Sequence, residues 1–133
     1  MAGSVRDKID LILQRKVQPM KPSSPYRVLS LMTTVATMAD ARRLARLLIE
    51  RRLAACVQIE PGVASHYIWQ GQQREETELR LTLKTLPGRA AAVQELFAQH
   101  HPYELPQFLT VGMDASAEYA AWVSEAVSPT PGG

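Results

Sequence analysis

Apolar and polar positions change their spacing several times along this chain, and each change marks an element. Arg27 to Thr34 is a short apolar-rich run and predicts a buried strand. Thr37-Met38-Ala39-Asp40 resembles a capping box, in which a hydroxyl serves the unpaired N–H groups of a first helical turn. Beyond it Ala41, Leu44, Ala45, Leu48 and Arg52 recur at helical spacing, with Leu47 widening the apolar stripe. Ala54 to Ile59 predicts a second buried strand, stopped by Pro61-Gly62. From Val63 to Trp69 the period is two, with Val63, Ser65, Tyr67 and Trp69 on one face. Gln70-Gly71-Gln72 is a turn signal, and then Leu79, Leu81 and Leu83 alternate with Arg80, Thr82 and Lys84. Residues 63–84 therefore predict a long antiparallel hairpin. Pro87-Gly88 ends it and opens a helix to about His100, with Val93, Leu96, Phe97 and His100 in step. Phe108 to Met113 predicts another strand. Ser116 to Val127 predicts a last helix, with Tyr119, Trp122 or Val123, and Ala126 on one stripe.

This order gives an α+β fold, a ferredoxin-like βαββαβ plait with an extended β-hairpin and a C-terminal helix. The hairpin is too long for a single sheet of this size. Its far end would leave backbone groups unpaired, and a neighbouring subunit can supply their partners. The domain spans residues 26–127. Residues 1–25, with Pro19, Pro22, Ser23, Ser24 and Pro25, read as a flexible N-terminal extension carrying a short helix at 4–18. Residues 128–133 (Ser-Pro-Thr-Pro-Gly-Gly) read as a disordered tail.

Charge narrows the partners. The chain carries a net +2, but residues 1–25 hold +3 and the remainder −1, so the domain itself is not a basic surface for nucleic acid. No apolar run of about 18 residues predicts a membrane span. The stretch from Ile9 to Leu13 is short and broken by Asp10, which does not suit a secretory signal, and Asp7 and Asp10 count against a mitochondrial presequence. A single cysteine, Cys56, excludes an internal disulfide. A cytoplasmic protein fits these features.

The chemistry concentrates in His100-His101-Pro102-Tyr103-Glu104-Leu105-Pro106. Pro102 disfavours helical dihedrals at His101, so the helix should end there. Imidazole suits Cu(II) and Zn(II), and His100 with His101 is the candidate metal pair. Adjacent helical residues point about 100° apart and chelate poorly together, so His101 must leave the helix or other subunits must contribute ligands. The plain structural reading is a histidine that packs and caps the helix. His66, opposite Tyr67 and Trp69, is a ligand or a polar surface residue. Cys56, in an apolar strand, reads as a buried structural thiol. Tyr67, Trp69, Glu78, Lys84 and Tyr103 are candidates for a cleft or interface. Glu75, Glu76 and Glu78 form a hard-cation site, salt bridges to a neighbour, or a solvated charge cluster. No Walker-type loop, G-x-G-x-x-G, G-x-S-x-G, H-E-x-x-H or C-x-x-C is present, so no enzyme is expected.

Four stretches together resemble one family. They are Leu53-Ala54-Ala55-Cys56-Val57-Gln58-Ile59 with Pro61-Gly62, then Ser65-His66-Tyr67-Ile68-Trp69-Gln70-Gly71, then Leu83-Lys84-Thr85, and finally His101-Pro102-Tyr103-Glu104-Leu105-Pro106. In order and spacing they resemble the CutA divalent-cation tolerance proteins over about residues 27–127. The resemblance implies a ferredoxin-like subunit, a homotrimer joined through its sheets and an architecture similar to the PII signal proteins. It also implies binding of copper or other divalent cations in response to metal, with no cofactor required. A second reading is a PII-like signalling or scaffold module that holds a small ligand or a partner protein at inter-subunit clefts. The chain departs from the family pattern in three places. Thr33 stands where some members carry a cysteine proposed to help hold copper. Ala36-Thr37 replaces Pro-Asp, and Gln107 replaces a glutamate.

Overall fold

A computed structural model describes residues 26–129. The expectations for residues 1–25 and for most of the tail, from residue 130 on, lie outside the described residues. The elements run β1 (Arg27–Val35), α1 (Met38–Glu50), β2 (Cys56–Trp69), β3 (Gln72–Thr85), a 3-10 turn (Pro87–Arg89), α2 (Ala90–His100), β4 (Leu109–Asp114) and α3 (Ala117–Ala126). The four strands form one antiparallel sheet in the order β2-β3-β1-β4, the ferredoxin-like plait.

Local chemistry sets the boundaries. Thr37 caps α1, its Oγ1 accepting from the Asp40 amide at 3.1 Å and donating to the Asp40 carboxylate at 3.1 Å. Ser116 caps α3 in the same way, accepting from the Tyr119 amide at 3.2 Å. His101 has φ −70° and ψ 136°, the extended conformation that the following proline favours, and α2 stops at His100. Gln70 and Gly71 both have positive φ (52° and 77°) and close the hairpin between paired Trp69 and Gln72, a two-residue turn of the kind that matches strand twist.

One expectation is corrected. Pro61-Gly62 does not stop β2. It forms a bulge, in which Pro61 and Gly62 stand opposite Leu79 alone between the pairs Glu60↔Arg80 and Val63↔Glu78. Proline has no N–H to give the ladder, and Gly62 takes φ 74°, so the strand absorbs both and continues. Residues 54–59 are also less buried than predicted. Ala54 is buried, but β2 is an edge strand and Cys56 to Ile59 are half-buried or exposed.

The core lies on one face of the sheet. Leu31 and Val35 of β1 and Leu79, Leu81 and Leu83 of β3 pack beneath Ala41, Leu44 and Leu48 of α1 and Val93, Leu96 and Phe97 of α2. The second face carries Val28, Ser30 and Met32, which pair with Met113, Val111 and Leu109 of β4. α3 returns over part of that face. Its Tyr119 meets Cys56, whose register partner Lys84 pairs with Ser30. The far end of α3 is held by guanidinium groups. Arg89 donates to the Val127 carbonyl through Nε at 2.9 Å and through Nη2 at 2.5 Å, and Arg52 donates to the Ser128 carbonyl at 3.4 Å. These are carbonyls that a helix C-terminus leaves unpaired.

β3 pairs with β1 only from Leu79 onward, so Gln72–Glu78 has β2 as its one neighbour in the sheet. This overhang is about 23 Å long at strand rise. Among the described residues, one core polar atom lacks a partner. Thr85 Oγ1 is fully buried without a hydrogen bond. Thr85→Val keeps the shape and removes that uncompensated hydroxyl. The expected gain is about 1 kcal/mol, read as a higher urea midpoint at unchanged m-value.

Candidate functional site

The end of α2 and the turn after it bring the loaded heptapeptide against β1 and β3. His101, released from the helix, turns its ring back toward the sheet and stacks edge-on against Phe97 (centroids 5.3 Å apart) and Tyr103 (5.2 Å). Both of its ring nitrogens are engaged. Nδ1 accepts from the Tyr103 amide at 3.1 Å, and Nε2 lies 2.9 Å from Thr33 Oγ1. An acceptor at Nδ1 assigns the neutral ring's proton to Nε2, which therefore donates to Thr33.

Tyr103 then carries the network to Glu78. Its hydroxyl donates to Glu78 Oε2 at 2.6 Å, the length of a charge-assisted O–H···O⁻ bond. Glu78 is 7% exposed, so this carboxylate is not part of a solvated cluster. Burial, then the bond to Glu78 and the charges of Glu78 and Glu76, push the Tyr103 phenol well above its ordinary value. Tyr67 on β2 is also raised, by desolvation first and then by its hydrogen bond to Glu76. Desolvation is the larger cause at both phenols, the carboxylates of Glu76 and Glu78 add to it, and Arg74 opposes it at Tyr67.

His101 titrates below its usual value. Burial is the largest cause and Arg43 adds to it, while the Thr34 backbone, Asp40 and Glu78 pull the other way. Protonation would also put a proton on Nδ1, facing the Tyr103 N–H donor. The folded chain therefore binds fewer protons than the unfolded chain just below pH 6.5. The stability that His101 contributes is complete above about pH 6.5 and is lost as pH falls below that value. Urea midpoints measured from pH 8 to pH 4 should fall less steeply below pH 6.5 in His101→Gln than in the parent.

The structure gathers some expected residues and separates others. Tyr67, Glu78, Tyr103 and His101 share one neighbourhood. Trp69 lies at the hairpin tip, paired with Gln72. Lys84 is six residues along β3 from Glu78, about 20 Å at strand rise, and its Nζ reaches Gln58 Oε1 at 3.5 Å. His66 stands on the exposed hairpin, 3.7 Å from Glu75 Oε1. It borders a shallow groove of about 350 Å³ with Tyr67, Ile68, Gln73 and Arg74. Cys56 is not the buried thiol expected. It opens edge strand β2, is half-exposed, and its Sγ lies 3.9 Å from Tyr119 Oη. His100 ends α2, and its carbonyl accepts from Arg43 Nη2 at 2.8 Å.

As a metal pair, His100 and His101 fit poorly within one chain. A ligating imidazole normally donates its second N–H to an acceptor, but His101 Nδ1 faces a donor. Among the described residues no group of three or more His, Cys, Asp or Glu side chains converges on one point. Sequence reasoning missed two members of the network. Thr33 is the partner that holds the His101 tautomer, and Arg43 ties α1 to the end of α2. Neither position has a local signal, because both contacts join residues far apart in the chain.

Comparison with known proteins agrees with the plait. Residues 29–126 match the family described as CutA1 divalent ion tolerance protein. The chain belongs to the CutA family. It is 39% identical over 93 residues to the divalent-cation tolerance protein CutA of Thermus thermophilus, a match covering 69% of this chain and 90% of that one. It is 35% identical over 99 residues to the CutA homolog of Danio rerio, covering 74% of this chain and 66% of that relative's length. The solved CutA of Synechococcus elongatus PCC7942 superposes with a TM-score of 0.74 at 36% identity, covering 80% of this chain and 95% of that one. No helix among the described residues is long and apolar enough to cross a membrane.

Proposed function

We propose that this CutA chain acts in the cytoplasm as a homotrimer in divalent-cation tolerance, binding Cu(II) or another divalent ion as cargo and catalysing nothing. The family name supports the tolerance role. The observation that carries cation binding is the run of carboxylates Glu75, Glu76 and Glu78 on β3, with Glu78 held by Tyr103, a concentration of negative charge that attracts a cation and repels the small anion of a PII-like reading. The described residues of a single chain do not assemble a ligand set. Binding therefore runs across copies, with His100 as the imidazole not tied into the network and carboxylates drawn from neighbours. The overhanging hairpin and the apolar β4 face support the assembly. Because its contacts are strands and apolar side chains, the trimer should survive chelators, and dissociation by EDTA would make the metal structural instead.

Calorimetry with Cu(II) tests the site. The parent should bind, and His100→Ala and Glu76→Gln should each weaken binding at least about tenfold, one lost ligand being worth more than 1.4 kcal/mol. Identical isotherms for all three proteins would remove these residues from the site.

A further inference from the structure

The described domain carries nearly balanced charge, but its cations are unevenly placed. Five of the ten Lys and Arg side chains between residues 26 and 129 are Arg42, Arg43, Arg46, Arg51 and Arg52, on α1 or immediately after it. Two of them have work inside the fold. Arg43 bonds Asp40 and the His100 carbonyl, and Arg52 bonds the Ser128 carbonyl. Among the described residues, the side chains of Arg42, Arg46 and Arg51 have no hydrogen bond or ion pair.

These arginines do not serve the helix. Arg42 and Arg46 are one turn apart, a like-charge spacing that weakens a helix. Neither stands in the last turn, where a cation complements the dipole, and that turn ends instead in Glu50. Helical spacing places Met38, Arg42, Arg46 and Ile49 on one outward stripe, with Met38 36% and Ile49 45% exposed. The opposite side of α1, through Ala41, Leu44 and Leu48, is buried in the core.

We infer that this stripe docks an acidic segment of a partner protein that also carries an apolar side chain. Guanidinium groups pair carboxylates two bonds at a time, and Met38 and Ile49 flank them with apolar surface at both ends of the stripe. The stripe lies on the helical side of the sheet, away from β4. In the trimer proposed above it therefore stays accessible and appears three times. Three stripes facing outward around an axis cannot rest on one planar bilayer, which favours a discrete partner over a lipid surface. The balanced net charge of the domain does not suit nucleic acid.

The full chain is titrated at low salt with a fluorescein-labelled peptide of alternating Glu pairs and Leu, and with a polyglutamate peptide of equal charge. The Glu-Leu peptide should bind at least about fivefold tighter than polyglutamate and shift the Met38 and Ile49 methyl signals. Arg42→Glu/Arg46→Glu, with Arg42→Gln/Arg46→Gln as the milder variant, should lose at least about tenfold, while Arg74→Glu on the hairpin should not change binding. Equal affinity in the parent and both Arg42/Arg46 variants, or equal affinity for the two peptides, overturns the proposal. So does tighter Arg42/Arg46-dependent binding to phosphatidylserine vesicles. The mass of the same samples by light scattering reads the trimer separately, so a monomer that still binds at α1 sinks the assembly and not the docking surface.

Discussion

Tyr103→Phe should cost about 1.5–3 kcal/mol of folding stability, although it removes one oxygen atom from a side chain at the surface of the fold. The phenol is the donor that the Glu78 carboxylate meets at 2.6 Å, and Glu78 is buried. Deleting the donor leaves a desolvated charge without its partner, and that penalty exceeds the modest net value of an ordinary hydrogen bond. The companion variant Glu78→Gln keeps an acceptor for the phenol and should cost less. Tyr103→Phe/Glu78→Leu removes both polar groups and should recover part of the loss, so the cycle gives a coupling energy of at least about 1 kcal/mol. Urea unfolding at pH 7.5 measures all of these, and the pH keeps His101 neutral throughout. If Tyr103→Phe unfolds at the parent's midpoint, water replaces the phenol freely and Glu78 is not held by this network.

This network shows where sequence reading stops. Periodicity alone placed the strands, because Leu79, Leu81 and Leu83 alternate and then prove fully or nearly fully buried. Capping chemistry located Thr37, and the steric effect of Pro102 ended α2 at His100, since each depends on residues within one turn. The bulge was misread because Pro61-Gly62 is a stop signal in most contexts, and only the pairing that resumes at Val63↔Glu78 shows that the strand continues. The site was legible as an inventory and not as an arrangement. His101, Tyr103 and Glu78 were each singled out, but the bonds to Glu78 and Thr33 span 25 and 68 positions of sequence, and nothing local reports which nitrogen of His101 meets Thr33. Thr33 first entered as a lost soft ligand. In the structure it is the oxygen that occupies the imidazole.

Val111→Asp should convert the proposed trimer into monomers while leaving each chain folded. Leu109, Val111 and Met113 stand in a row on edge strand β4, 51%, 48% and 44% exposed, a continuous apolar strip on the face opposite the core. In a lone chain a polar substitution at a half-exposed edge position changes stability by less than about 1 kcal/mol. In the proposed trimer the same row would be covered, each side chain adding about 1 kcal/mol of apolar burial, and a carboxylate at its centre would be desolvated in every copy. The two situations predict different measurements on one protein. Light scattering should read about three times the 14.8 kDa chain mass for the parent and about one chain mass for the variant. Thermal unfolding of the variant should remain cooperative, and amide exchange in Gln72–Glu78 should become fast, because that overhang then loses the neighbours that pair or cover it. A folded Val111→Asp protein that keeps the parent's mass would show that the copies meet elsewhere, and a monomeric parent would show that the overhanging hairpin stands without them.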